Sequence, residues 1–152
     1  HTWAKGTGPK FEGELPVCDG VTVLFGDVVA DSEREFGILS GDDIVFRYAT
    51  ELPDVERVVF AIGGVDGILK VPPARAGPED LIEIWNPSMF FEGEHATEID
   101  VTGGIGLKAS RGAMIAEKGI EVTLVNGEYA DRVLDAIEGR AVIGTRIVAG
   151  NP

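Results

Sequence analysis

The sequence has 152 residues, a length that provides one compact domain with a real core and leaves little room for a second. It contains 13 lysines and arginines against 26 aspartates and glutamates, so the formal net charge is −13. An acidic surplus of this size argues against nucleic acid or an anionic membrane as the partner of a broad surface. The single cysteine cannot form an internal disulfide, and we expect a cytoplasmic protein without a membrane span.

The first elements predicted along the chain are a loop, two strands and a helix. Glycine and proline interrupt residues 1–20, which are therefore predicted to be a loop. The apolar, β-branched run 21–25 predicts a strand buried on both faces, and 37–39 predict a short return strand. Ser40 or Asp42 is placed to cap a helix, because apolar residues follow at helical spacing as far as Leu52.

The rest of the chain alternates between the two types of element. Strands are predicted at 57–62, 120–125 and 143–148, and helices at 78–85, 105–118 and 128–137. Because the strands are solid apolar runs, the pattern predicts a mainly parallel sheet covered on both faces, a three-layer α/β/α sandwich. Segments 26–27, 63–67 and 126–127 each follow a predicted strand, so we expect them to surround one ligand site at the carboxyl ends.

Segment 100–108 is the most informative for chemistry. Gly103 and Gly104 precede a predicted helix and expose its first amides, and Lys108 adds a cation one turn into that helix. Together these groups suit a phosphate. The spacing is not that of a P-loop, and the alternative interpretation is a plain turn followed by a solvated lysine.

Residues 40–43 and the two histidines are the remaining features that bear on function. Residues 40–43 are either an ordinary helix cap or a place where Gly41 lets a phosphate approach the helix amides. His1 and His95 have no visible metal partner or nucleophile beside them. Zinc chemistry and triad hydrolysis are therefore poorly supported, and no metal-ligating residue is assigned.

Read together, the motifs resemble those of the isopentenyl phosphate kinases, members of the amino acid kinase family. The motifs that carry the resemblance, in chain order, are Gly26-Asp27-Val28-Val29, Gly37-Ile38-Leu39-Ser40-Gly41-Asp42-Asp43, Val65-Asp66-Gly67, Asp100-Val101-Thr102-Gly103-Gly104 with Lys108, Val125-Asn126-Gly127 and Ile143-Gly144-Thr145. Their joint occurrence over about residues 21–147 is more specific than any single motif. The resemblance implies transfer of the γ-phosphoryl group of ATP to isopentenyl phosphate, with Mg²⁺ as a cofactor.

The resemblance also assigns roles to individual residues. It implies that Lys108 contacts the ATP phosphates as a catalytic residue and that Gly104 supplies backbone contacts to the nucleotide. Gly41 and His1 correspond to groups that hold the substrate phosphate, His1 as a second catalytic residue. Gly64 stands where the family has an aspartate that contacts the nucleotide.

The resemblance further implies a domain organisation and a partner. Residues 21–152 would form the nucleotide-binding domain of a homodimeric kinase, and 1–20 a loop or a truncated substrate-side segment. The family carries a Lys-x-Gly-Gly-Ser loop further toward its amino end, so we expect either a fragment or a shortened relative. The alternatives are a non-catalytic phosphate-binding or assembly half-domain, or a kinase for another phosphorylated alcohol or for fosfomycin.

Overall fold

A computed structural model describes residues 3–90 and 105–150. The contacts divide this mixed α/β chain into two compact units, His1–Asp54 and Val55–Pro152. The first unit contains β1 (Asp27–Ala30), β2 (Phe36–Leu39) and α1 (Gly41–Glu51). The second contains β3 (Arg57–Ile62), β4 (Ile84–Trp85), α2 (Ile105–Ala116), β5 (Glu121–Asn126), α3 (Ala130–Ile137) and β6 (Gly144–Ile147), with short 3₁₀ turns at Pro73–Arg75, Pro78–Asp80 and Pro87–Phe90.

The second unit is built on a four-stranded sheet in the order β3-β5-β6-β4. Strands β3 and β5 are parallel, as are β4 and β6, whereas β5 and β6 are antiparallel. The predicted mainly parallel sheet is confirmed by two of these three pairings. In the described parts of the chain, no helix has the length and apolar character needed to cross a membrane.

Helices cover both faces of this sheet. A Cβ on Gly112 of α2 would come within 3.2 Å of Val122 in β5, so α2 lies on the Val122 face. Gly139, just after α3, lies against the guanidinium of Arg57. Arg57 pairs with Glu121, which faces the other way from Val122 because side chains alternate along a strand. Helices α2 and α3 therefore lie on opposite faces, and the predicted three layers are confirmed.

The first unit consists of an antiparallel hairpin, α1 and irregular chain. Strands β1 and β2 pair from Asp27 opposite Leu39 to Ala30 opposite Phe36. Ser40 caps α1 as predicted, its side chain accepting a hydrogen bond from the amide of Asp42 at 3.2 Å. Buried apolar residues of this unit pack in one cluster: Ala4, Phe11, Leu15, Val29, Leu39, Ile44 and Tyr48.

The predicted strand at 21–25 is wrong. These residues lie outside every strand, and Val23 is 80% and Phe25 64% exposed. Strand β1 begins at Asp27, so segment 26–27 lies at the start of a strand and does not follow one. The prediction that this segment contributes to the ligand site at the carboxyl ends is therefore also wrong. A β-branched run favours extended backbone, but only a neighbouring strand buries it.

The predicted helix at 78–85 is also wrong. Pro78 and the acids after it start a single 3₁₀ turn, and the chain then enters β4. The amide of Ile82 donates to the Ile68 carbonyl at 2.8 Å, and the Trp85 carbonyl accepts from Val148 at 2.9 Å. These long-range backbone hydrogen bonds outweigh the local helix signal.

Candidate functional site

Two loops meet at the carboxyl ends of the parallel strands β3 and β5. Ile62 and Asn126 are register partners at the last position of each strand. The amide of Gly127 donates to the Ile62 carbonyl at 2.7 Å, which joins segment 126–127 to the start of loop 63–67. The prediction that these two segments lie together is confirmed, and the edge is where parallel sheets bind ligands.

The backbone of loop 63–67 is open to approach at its first two residues. Gly64 is exposed, has a φ of +75°, and a Cβ placed on it or on Gly63 would meet no heavy atom of another part of the described chain within 4 Å. The positive φ alone favours glycine at position 64. Because the space beside Gly63 and Gly64 is open, a ligand can also approach this backbone closely.

A polar cluster holds the other half of the loop. Asp66 Oδ1 accepts hydrogen bonds from Arg132 Nη1 at 2.5 Å and from Asn126 Nδ2 at 3.3 Å. The Arg132 guanidinium lies 4.2 Å from the centre of the Tyr129 ring, a cation–π contact. Asn126 is 5% exposed, and its Oδ1 accepts from the amide of Glu128 at 3.1 Å. Arg132 and Tyr129 were not predicted as site residues. Their position just after Asn126-Gly127, at the predicted ligand edge, could have indicated them.

The far end of the loop is fixed by packing. Gly67 is buried, and a Cβ there would collide with the hydroxyl of Thr145. That hydroxyl is fully buried, accepts from the amide of Ile68 at 2.8 Å and donates to the Ile82 carbonyl at 2.7 Å. Gly67 and Thr145 therefore have a structural role, because they join β6 to Ile68 and Ile82.

Lys108 lies in the first turn of α2, as predicted, and is partly buried. Helix α2 ends shortly before β5 begins and packs along β5 and β6. Its first turn is therefore directed toward the carboxyl end of β5, the edge that carries loop 63–67. The helix and the loop thus approach the same end of the sheet. Contact of Lys108 with a phosphate stays a prediction.

Gly41, predicted to hold a phosphate, is the first residue of α1. A Cβ there would come within 2.9 Å of the amide nitrogen of Gly26 and 3.2 Å of the Phe25 carbonyl carbon. This close backbone approach requires glycine without any ligand. Asp42 and Asp43, in the same turn, are 5% and 6% exposed. The substrate-binding role of Gly41 stays a prediction.

Two predicted site residues, His1 and Gly104, lie outside the described residues, as does His95. Within 3–90 and 105–150, no group of three or more histidines, cysteines, aspartates and glutamates is placed to hold a metal ion. The candidate site in the described residues is the edge formed by loop 63–67, Asn126 and the first turn of α3, and the first turn of α2 is directed toward the same end of the sheet.

The chain is similar to curated proteins named isopentenyl phosphate kinase. It is 33% identical over 130 residues to the protein of Methanothermobacter thermautotrophicus, covering 84% of this chain and 48% of the relative. It is 38% identical over 129 residues to that of Thermoplasma acidophilum, covering 84% and 50%. The chain thus spans about half the length of the curated relatives it matches. No known protein-family profile matches the sequence.

Solved structures give the same likeness. An isopentenyl phosphate kinase described as a substrate complex aligns with a TM-score of 0.56 and 30% identity over 81% of this chain and 46% of its own. The product complex of the T. acidophilum enzyme aligns with a TM-score of 0.57 and 32% identity, over 81% and 45%. In sequence and in fold, the chain is therefore a homologue of about one half of an isopentenyl phosphate kinase.

Proposed function

We propose that the chain acts as an ATP-dependent phosphate kinase that converts isopentenyl phosphate and ATP into isopentenyl diphosphate and ADP. The observation that carries the proposal is the similarity to relatives of that name, which covers 84% of the chain. In this reaction the bond from the γ-phosphorus to ADP breaks as a bond to a phosphate oxygen of the substrate forms. The protein contributes mainly alignment and charge neutralisation.

On the nucleotide side, Lys108 and the first amides of α2 are the groups proposed to neutralise charge on the migrating phosphoryl group. A cation and a helix amino end act in the same direction, since both favour negative charge. Gly104 would add a backbone contact, and Gly64 would let the nucleotide approach the loop. The exposure of Gly64 and the position of Lys108 in the first helical turn support these roles.

On the substrate side, we propose that His1 and Gly41 hold the phosphate of isopentenyl phosphate. Gly41 begins α1, and the amino end of a helix carries the positive end of its dipole, which favours an anion. A histidine donates a hydrogen bond to phosphate and, when protonated, adds a positive charge. Contacts of this kind would restrain the substrate phosphate whose oxygen is the acceptor.

ATP and Mg²⁺ are the cofactors that this proposal requires. Loop 63–67 offers an exposed glycine backbone that a nucleotide could approach, and Mg²⁺ would bind mainly through the phosphates of the nucleotide together with one or two carboxylates. When bound, Mg²⁺ neutralises charge on the β- and γ-phosphates.

A mass-resolved assay tests the proposal. The chain is incubated with ATP, Mg²⁺ and one acceptor at a time: isopentenyl phosphate, dimethylallyl phosphate, other phosphorylated alcohols and fosfomycin. We expect isopentenyl diphosphate and ADP to form in equal amounts, with isopentenyl phosphate the best acceptor. A clear preference for fosfomycin or another alcohol phosphate would replace the substrate assignment and keep the phosphotransfer.

The second candidate function is a half-domain that binds phosphate or assembles with another chain without turnover. The observation in its favour is that the chain spans about half the length of its relatives. Binding of ADP in a calorimetric titration, together with no product from any acceptor, would favour it over the kinase. The homodimer and the cytoplasmic location stay predictions, and sedimentation equilibrium tests the first.

A further inference from the structure

Loop 63–67 has one side chain that can anchor it. Three of its residues are glycines and Val65 is apolar, so Asp66 is its only polar side chain. Glycine loses more conformational entropy on ordering than any other residue, which makes a glycine-rich loop costly to hold in one form. The contacts of Asp66 therefore determine how well the middle of this loop is ordered.

The chain on either side of the loop is fixed independently of Asp66. The Ile62 carbonyl accepts from the amide of Gly127 at 2.7 Å, and the amide of Ile68 donates to the buried hydroxyl of Thr145 at 2.8 Å. Loss of the Asp66 contacts would therefore leave β3 and β6 in place. Its effect should be confined to the residues between these two anchors.

Arg132 is a restrained partner for the Asp66 carboxylate. Its side chain is 20% exposed, against 41% for Asp66, and it also lies over the Tyr129 ring. Stacking limits the rotamers of the arginine, so less entropy is lost when the ion pair forms. Asn126, buried at the end of β5, donates the second hydrogen bond. The carboxylate thus joins the loop to both β5 and α3.

We propose that Asp66 is a positioning residue that, through Arg132 and Asn126, holds loop 63–67 in the form that receives the nucleotide. This inference rests on the proposed function, because the edge must bind a nucleotide for the loop conformation to matter. Asp66 acts through the backbone of Gly63 and Gly64, and it is the geometry of that backbone that the nucleotide meets. The order of the loop itself is measurable without any ligand.

Helix α3 provides a matched control. Asp135 accepts a hydrogen bond from Arg140 Nε at 2.7 Å, the same type of ion pair in the same unit. Its carboxylate is 36% exposed, close to the 41% of Asp66, but it contacts no residue of loop 63–67 in the described structure. Replacing Asp135 by Asn therefore removes a comparable surface interaction without touching the loop.

The experiment is amide nitrogen relaxation by NMR on the full chain without ligand, which reports the order of each backbone amide. In Asp66→Asn and in Arg132→Met we expect the order parameters of 63–67 to fall toward the flexible limit of about 0.6. The amides of β5 should keep their order parameters, and Asp135→Asn should leave the loop unchanged. Arg132→Lys, which keeps the charge and one donor, serves as a milder second variant and should fall between.

Titration with ADP then separates the inference from the proposed function. We expect the Kd for ADP to rise about tenfold in Asp66→Asn, and the double variant Asp66→Asn/Arg132→Met to lose no more than the single variant. Unchanged loop order parameters in Asp66→Asn and Arg132→Lys, or lower order parameters with an unchanged Kd, would overturn the inference. A parent chain that does not bind ADP would refute the proposed function, while the relaxation data would still decide whether Asp66 orders the loop.

Discussion

The two units of the molecule hold their irregular chain in different ways. In the second unit, loops start and end on a hydrogen-bonded sheet whose central residues Val122, Leu124 and Val125 are fully buried. In the first unit, the sheet is a two-stranded hairpin, and the long segment before it has few backbone partners of its own. That segment is held instead by side chains of α1.

Arg47 and Tyr48 are the side chains that do this. Arg47 Nη1 donates to the Phe11 carbonyl at 2.7 Å, and its guanidinium lies 4.4 Å from the centre of the Phe11 ring. The Tyr48 hydroxyl donates to the Pro16 carbonyl at 2.7 Å, and the ring packs edge-on against Trp3. Stability in the first unit therefore depends on a few replaceable side chains, whereas in the second unit it is spread over a backbone ladder and a core.

The largest effect is expected on catalysis in the second unit. Replacing Lys108 by alanine should lower turnover by about two to three orders of magnitude, as for loss of one transition-state donor. A coupled assay of ADP release with isopentenyl phosphate measures it. The matched control is Lys118→Ala, an exposed lysine just beyond the other end of α2, which should keep full turnover. Equal rates in the two variants would remove Lys108 from the site.

The next largest effect is on the sheet of the second unit. In Gly144→Ala the new Cβ would collide with the Leu124 carbonyl oxygen inside the β5–β6 pair, so we expect a loss of about 3 kcal/mol in the free energy of unfolding. Urea denaturation measures it. Gly63→Ala, where the added Cβ has open space, should change stability little. An unchanged free energy of unfolding in Gly144→Ala would show that the β5–β6 pair can shift to accommodate the added methyl group.

A smaller effect is expected for Arg47→Met in the first unit. Loss of its hydrogen bonds to the Phe11 and Gly13 carbonyls should destabilise this unit by about 1–3 kcal/mol. The chain has two tryptophans, Trp3 in the first unit and the buried Trp85 in the second, so single-tryptophan variants report on each unit separately.

The Trp3 fluorescence transition should shift to lower temperature while the Trp85 transition stays in place. Replacement of Arg34, an exposed arginine in the turn between β1 and β2, is the control and should shift neither. Equal shifts of both transitions would contradict the view that Arg47 acts within its own unit.

The smallest effect is a pH dependence in the first unit. Hydrogen bonding to Arg47, at 2.7 Å, lowers the pKa of Glu51 below its usual value of 4.5. Because the folded pKa is the lower one, the ion pair stabilises the unit above about pH 4.5, and this stabilisation is lost as the pH falls through the folded pKa. For a half-exposed pair it amounts to less than about 1 kcal/mol.

Thermal unfolding of Glu51→Gln between about pH 2 and 7, followed by Trp3 fluorescence, checks this prediction (these limits lie about two to three units either side of an ordinary glutamate pKa). The variant should be less stable than the parent at neutral pH and equal to it at the acid end. Glu35→Gln, an exposed residue of the turn before β2, should follow the parent throughout. A constant gap at all pH values would show that charge does not cause the difference.

Local signals in the sequence determined most of the regular elements. Ser40 as a cap predicts where α1 begins. Gly119 and Gly139, with φ of +82° and +71°, follow α2 and α3, and glycine readily takes this conformation after the end of a helix. The strands β3 and β5 were predicted because each is a largely apolar, β-branched run. The wrong predictions at 21–25 and 78–85 concern segments whose state depends on distant parts of the chain: no described strand pairs with 21–25, whereas backbone hydrogen bonds to Ile68 and Val148 hold 82–85.

The candidate site was also predictable only in part. The meeting of loop 63–67 with Asn126-Gly127 could be predicted, because parallel strands place their carboxyl ends at one edge. The partner of Asp66 could not, because Arg132 lies 66 positions along the chain and only the packing of α3 against β3 and β5 brings it within hydrogen-bond distance. A residue's own chemistry and its near neighbours set its local backbone, whereas burial and ion pairing belong to whichever distant segment the fold places beside it.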